Sequence, residues 1–308
     1  MKHYQCTCCG RNYTETDVPQ NLICSCDPLI GLIAEIPSPV PSSAVGSSPS
    51  AMMTEAGLCV FLMDASGSMF SEKMFPNSEI QSLFGESFVN RAEWVCRMAA
   101  SGIFDLINKG IAEAEHAYIC AIKFDTKQSV MFIKTIEQIK NQYANDADFA
   151  KFLYEELKTM KGGTNINTAL EMAHSFVTNF NDGTVKGMGN YTPKKHTDYA
   201  LSGRPLTVPN VRVLIYTDGD QLQQFGEIVS PFQKDEIDLL IGVFIGQENE
   251  SGCQKLRTVI GKCPIHNHEQ FLVFDVPQKN MALKGMFRMA SGASGFCVKC
   301  QEDANSKA

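Results

Sequence analysis

The 308-residue sequence is short of several things, and each shortage removes a class of protein. Its longest apolar runs are strand-sized, well below the ~18–20 residues a membrane-spanning helix needs, so no membrane partner is expected. No basic stretch followed by an apolar core opens the chain, so no secretory signal is expected. Positive charge is not in excess: 27 Lys+Arg against 34 Asp+Glu leave a net charge of −7. That balance argues against non-specific nucleic-acid binding and describes a soluble, mildly acidic protein. A bound metal can still give such a protein a locally positive site. Three catalytic signatures are missing as well: G-x-S-x-G, H-E-x-x-H and G-x-x-x-x-G-K-[ST]. No internal repeat is visible.

What is there begins with enough apolar residues, 44%, to build a sizeable core. The length suits one α/β domain of more than about 200 residues plus a small module. Twelve cysteines are present, but Cys59, Cys96 and Cys120 lie inside buried-looking elements, where free thiols pack as small hydrophobes. The others cluster, which fits metal binding in a reducing compartment better than a secreted disulfide scaffold, and the cytoplasm is expected.

The chain divides by composition. Residues 1–36 hold five cysteines and few helix-forming runs. Residues 37–54 form a Pro/Ser-rich linker that cannot build a core and reads as a semi-flexible tether. Residues 55–296 carry the periodic patterns, and 297–308 are a tail containing Cys297-Val298-Lys299-Cys300.

Within 55–296 the apolar run Leu58-Cys59-Val60-Phe61-Leu62-Met63 reads as a strand buried on both faces. A helix is expected over 87–115, a strand pair over 117–125 and 129–135, and helices over 146–160 and 166–180. Residues 183–209 show no periodicity and read as a loop. Strands are expected at 211–217, 237–246 and 270–276, with helices at 221–234, 253–261 and 280–290. Strands alternating with helices predict a doubly wound α/β fold, a mostly parallel six-stranded sheet with helices on both faces.

The first strand ends in Asp64-Ala65-Ser66-Gly67-Ser68, which puts three oxygen-bearing side chains at alternate positions around a glycine turn. Alone, this loop reads as a turn that caps the next helix. Two further segments change the balance. Gly162-Gly163-Thr164-Asn165 offers a hydroxyl on a flexible loop, and the strand at 211–217 ends in Thr217-Asp218-Gly219. Ligands bind at the carboxyl ends of strands in an open α/β sheet. An all-oxygen donor set suits a hard divalent cation and suits zinc poorly. Asn165 and Asp220 lie near these loops in sequence and read as solvated-loop residues, and Asp125, at the end of another strand, reads as a turn residue.

These three segments, in this order, resemble the metal-ion-dependent adhesion site of von Willebrand factor A (VWA) domains, over about residues 55–296. Asp64, Ser66 and Ser68 match the first loop of that motif, Thr164 the second and Asp218 the third. The resemblance implies a site for Mg²⁺, or Mn²⁺ or Ca²⁺, whose coordination is completed by an Asp or Glu of a protein partner. It therefore implies a non-catalytic, cation-dependent interaction module inside the cell. The chain also resembles the bacterial intracellular tellurium-resistance TerY type, for which kinase or phosphatase partners are implied. The competing reading is a Mg-dependent phosphatase-like hydrolase of the haloacid dehalogenase type. That chemistry uses D-x-D at the first loop, and here the third position is Ser66.

Two insertions bear on partner choice. The segment 70–86 carries Phe70, Met74, Phe75, Leu83 and Phe84, which either form a partner surface or fold back over the sheet. The Lys-rich loop at 183–209 either shapes partner choice or is a mobile connection.

In the Cys-rich head, Cys6-x-x-Cys9-Gly10 and the pair Cys24-x-Cys26 resemble a zinc ribbon. Two short knuckles can bring four thiolates around one tetrahedral Zn²⁺ and fold a hairpin too small to fold unaided. C-x-C in place of C-x-x-C leaves Cys8 and His3 as alternative ligands. The Cys297/Cys300 pair follows an expected helix, which argues against a redox role.

Overall fold

Alternation along one strand sets the layers of the molecule. The computed structural model describes residues 3–6, 12–14, 33–36, 54–71, 81–86, 88–108, 117–185, 188–199, 205–219, 227–233, 236–237, 239–262, 267 and 269–274. Near the N-terminus, β1 (His3–Cys6), β2 (Asn12–Thr14) and β3 (Ile33–Ile36) form a small antiparallel sheet in the order β2-β1-β3.

The main sheet is built around β4 (Thr54–Asp64), which is buried from Ala56 onward. Successive side chains of a strand point to opposite faces. Leu58, Val60 and Leu62 accordingly enter one core, and Cys59, Phe61 and Met63 the other. After a short helix α1 (Gly67–Ser71), helix α2 (Arg91–Asn108) lays Val95, Cys96, Ala99 and Ile103 on the Cys59/Phe61/Met63 face. Strands β5 (Ala117–Phe124) and β6 (Gln128–Thr135) follow as an antiparallel pair with a bulge between Ala121 and Ile122.

Helix α3 (Ile136–Gln142) starts directly at the end of β6, where Thr135 and Gln138 form a reciprocal capping box. It is too short for periodicity to reveal. Helix α4 (Asp146–Leu157), capped by the Asn145 side chain, packs Phe149, Leu153, Tyr154 and Leu157 into the same core as α2. Helix α5 (Ile166–Asn181) buries Ile166, Ala169, Leu170, Ala173, Phe176, Val177 and Phe180 on the opposite face. Burying each large apolar side chain of that stripe is worth roughly 1.5–3 kcal/mol, so the stripe outweighs the helix's own marginal propensity.

The segment 183–209 is more ordered than its composition suggests. It contains β7 (Tyr191–Pro193), parallel to the start of β4, and a hairpin of β8 (Lys195–Tyr199) with β9 (Pro205–Pro209). Then come β10 (Val211–Thr217), β11 (Leu239–Ile245), α6 (Ser251–Ile260) and β12 (Phe271–Phe274). The helix expected over 221–234 is not found over 227–233, which carry no regular structure. The helix expected over 280–290 lies outside the described residues. No described helix is long and apolar enough to cross a membrane.

The main sheet runs β12-β11-β10-β4-β5-β6, with β7 added alongside β4. All its pairings are parallel except β5 with β6. Helices α2, α3 and α4 cover one face, and α5 and α6 the other. The six strands expected from sequence form the main path in a doubly wound order, with β4 and β10 side by side at the centre. The order reverses between them, and such a switch point opens a crevice outside the strand carboxyl ends.

Candidate metal centre

Adjacent parallel strands that end level bring their next residues together. β4 and β10 pair from Leu58↔Val211 through Met63↔Tyr216, so Asp64 and Thr217-Asp218 emerge at the switch point side by side. Asp64 has no exposed surface, and Ser66 and Asp218 are 1% exposed. The Ser66 amide donates to Asp64 Oδ1 at 2.7 Å, and the Thr217 hydroxyl donates to Asp64 Oδ2 at 2.5 Å. Ser66 Oγ and Ser68 Oγ lie 3.1 Å apart, and Ser68 Oγ donates to Asp218 Oδ1 at 2.9 Å. Four of the five residues expected from sequence thus belong to one hydrogen-bonded net.

Backbone bonds join the second loop to the first and tie both to the end of β5. Gly67 N donates to Gly162 O at 3.1 Å, Ala65 N to Phe124 O at 2.7 Å and Asn165 N to Asp125 O at 2.7 Å. Thr164, two residues beyond Gly162, is fully buried, and its Oγ1 has no hydrogen-bond partner. A buried hydroxyl without a partner is costly and calls for an explanation. A cation would supply one.

Asp125 does more than turn the chain. Its Oδ2 accepts the amides of Lys161 (3.2 Å) and Gly162 (2.7 Å), and its Oδ1 accepts the amide of Lys127 (2.8 Å). This carboxylate therefore anchors the Thr164 loop without being a candidate ligand itself. A Cβ on Gly162 would fall 2.8 Å from Asp125 Oδ2, so only glycine lets that amide come so close. The third loop is supported from below: Gly219 N donates to Thr217 Oγ1 at 2.9 Å, and Gly219 has φ +64°. Helix α6 begins directly against it, since a Cβ on Gly252 would lie 2.6 Å from Gly219 O.

Electrostatics favour a cation here. Burial first, and the Asp218 charge second, push the Asp64 carboxyl up to about 7, against the lowering pull of its Ser66 and Thr217 hydrogen bonds. Two buried carboxylates with the Ser66 and Ser68 hydroxyls on them, and the Thr164 loop bonded to the first loop, offer hard, oxygen-only donors. Among the described residues, no three His, Cys, Asp or Glu side chains gather at any one place, and this site too holds only two carboxylates. The residues present therefore fit a small divalent cation, with Asp64, Ser66, Ser68, Thr164 and Asp218 as its candidate ligands.

One participant has no sequence signal at all. Arg91, the first residue of α2, donates from Nη1 to Asp218 Oδ2 at 3.0 Å; its side chain is 19% exposed and that of Asp218 is not exposed. In the described part of 70–86, Phe70, Leu83 and Phe84 fold back and pack on the core. Phe84 stacks on Tyr154 with ring centroids 4.3 Å apart, and Glu93 accepts from Leu83 N at 2.8 Å.

The cysteines separate by burial. Cys59, Cys96, Cys120 and Cys253 are free thiols buried in the core. Cys6 ends β1, whereas Cys9, Cys24, Cys26, Cys297 and Cys300 lie outside the described residues, as does Asp220.

No family model matches the chain, and no curated protein matches it. Solved structures similar to it include a von Willebrand factor type A protein from Catenulispora acidiphila, at 13% identity and TM-score 0.45, covering 77% of this chain and 43% of that one. BatB from Bacteroides thetaiotaomicron, a conserved hypothetical protein, is 12% identical with TM-score 0.42, over 77% of this chain and 100% of that one. The ArnB paralog VWA2 from Sulfolobus acidocaldarius is 14% identical with TM-score 0.38, over 76% and 45%. The chain thus spans less than half of the first and third of these. Its own strand order, helices on both faces and antiparallel edge strand match a VWA or Rossmann-like fold.

Proposed function

We propose that the chain is a non-catalytic, divalent-cation-dependent protein–protein interaction module that works within an intracellular assembly or signalling system. Asp64, Ser66, Ser68, Thr164 and Asp218 would hold Mg²⁺ or Mn²⁺ at the carboxyl ends of β4 and β10. The observation that carries this reading is the conjunction of two adjacent buried carboxylates with a buried Thr164 hydroxyl that has no protein partner. Bound there, the cation would supply an electrophilic position for one further anionic oxygen. Three of the five candidate ligands are neutral hydroxyls, which leave much of the ion's charge uncompensated. An Asp or Glu of a protein partner fits that need, as the resemblance to adhesion sites implies.

The hydrolase alternative asks Asp64 to attack a phosphoryl group. Asp64 is fully buried with both carboxylate oxygens accepting hydrogen bonds, and this supports the binding reading over the catalytic one. The Cys6, Cys9, Cys24 and Cys26 set is proposed to hold a structural Zn²⁺ in the N-terminal module.

Calorimetric titration of Mg²⁺ and Mn²⁺ into wild type and Asp64→Ala tests the main proposal. Binding in wild type and none in the variant is expected. Equal heats in both would remove Asp64 from any cation site and end the proposal.

A further inference from the structure

The ion pair between Arg91 and Asp218 has no part in the ligand set proposed above, yet it occupies one of that set's two carboxylates. Both Asp218 oxygens are engaged: Oδ1 by the Ser68 hydroxyl at 2.9 Å and Oδ2 by Arg91 Nη1 at 3.0 Å. Ser68 and Asp218 would both be ligands, so their contact lies within the site. Arg91 comes from outside it, on the first turn of α2, with its side chain partly open to solvent. Asp64 and Asp218 are buried neighbours that repel each other. Two such charges require a positive partner, because unpaired buried charge is strongly unfavourable.

We infer that Arg91 is a built-in rival of the divalent cation: its guanidinium neutralises Asp218 in the cation-free protein and must give up Oδ2 for the cation to bind. The inference rests on the metal-binding reading. It makes Arg91 the residue that sets cation affinity, although its own charge forbids it to be a ligand. In the cation-free state Arg91 also keeps the ends of β10 and α2 together. Cation binding therefore loosens α2 from the third loop at the edge of the site.

Competition and support predict effects of opposite sign. If Arg91 only propped up a ligand, removing it would weaken cation binding. If it competes, removing it strengthens binding. Charge-assisted hydrogen bonds are strong enough for the difference to be measurable.

The test is calorimetric titration of Mg²⁺ and Mn²⁺ into the 308-residue wild type, Arg91→Met and Arg91→Lys. Arg91→Met is expected to bind at least about tenfold more tightly than wild type, equivalent to ~1.4 kcal/mol. Arg91→Lys keeps the charge without the planar fork and is expected in between. A wild type too weak to measure beside an Arg91→Met that binds is the stronger form of the same result. Binding in Arg91→Met that equals or falls below wild type overturns the inference and leaves the metal site standing. If neither binds, site and inference fall together. A second measurement needs no folded variant beyond the conservative one. The Arg91 side-chain Nε–H resonance of wild type, assigned by its absence in Arg91→Lys, is expected to shift on saturation with Mg²⁺, and a resonance that stays put overturns the inference.

Discussion

Replacing Thr164 with valine should stabilise the cation-free protein and weaken its grip on a divalent cation, two effects of opposite sign from one atom. The side chain is fully buried and its hydroxyl has no partner, while Asp64, Ser66, Ser68 and Asp218 all do. A buried polar group left unpaired costs about 1–3 kcal/mol. Valine has the same branched shape and replaces the oxygen with a methyl, so no existing hydrogen bond is lost. The cation-free variant is expected to gain about 1 kcal/mol in denaturant unfolding with chelator, or ~2–4 °C in Tm for a domain of this size. In the same variant, loss of one ligand is expected to cost at least about tenfold in Mg²⁺ affinity by calorimetry, ~1.4 kcal/mol. Thr164→Ser keeps the oxygen and is expected to retain binding. Destabilisation of Thr164→Val by 1 kcal/mol or more in chelator would mean that the hydroxyl already has a partner. Unchanged affinity would put the second loop outside the site. Either result refutes the reasoning.

Asp125→Asn leaves one acceptor oxygen where two served three backbone amides, and turns an NH₂ toward donors. It is expected to lose about 2–4 kcal/mol in denaturant unfolding and to weaken Mg²⁺ binding without removing any ligand; wild-type values for both would show that Asp125 does not anchor the loop. The pH dependence follows from the Asp64 carboxyl, which burial and Asp218 raise to about 7. Without cation, folding takes up a proton between ~4 and ~7, so this stabilisation is complete below about 4 and is lost as pH rises through about 7. Cation affinity runs the other way, because the proton must leave first, and is expected to fall about tenfold per pH unit below ~7. Flat affinity by calorimetry between pH 5.5 and 7.5 would contradict the shift.

Much of the architecture is legible in the residues because it is locally periodic. Leu58, Val60 and Leu62 alternate with Cys59, Phe61 and Met63, and that pattern already announces a strand buried on both faces. The α5 stripe from Ile166 to Phe180 is legible for the same reason. Helix α3 escaped because seven residues span barely two turns. The β8–β9 hairpin carries no alternation of apolar and polar residues, and its pairing depends on register with a strand six residues further on.

What the residues offered unaided was a set of candidate oxygen donors, Asp64, Ser66, Ser68, Thr164 and Asp218, each next to a turn glycine or at the end of an apolar run. Spacing within a loop is local, and local chemistry can be read along the chain. What only the tertiary structure decided was which charges face which. The reversal of strand order between β4 and β10 set two carboxylates side by side, and the entry point of α2 put Arg91 against Asp218, 127 residues away. It also laid Asp125 under the amides of the second loop. Contacts of that kind depend on where elements end in space, and no periodicity along the chain encodes them.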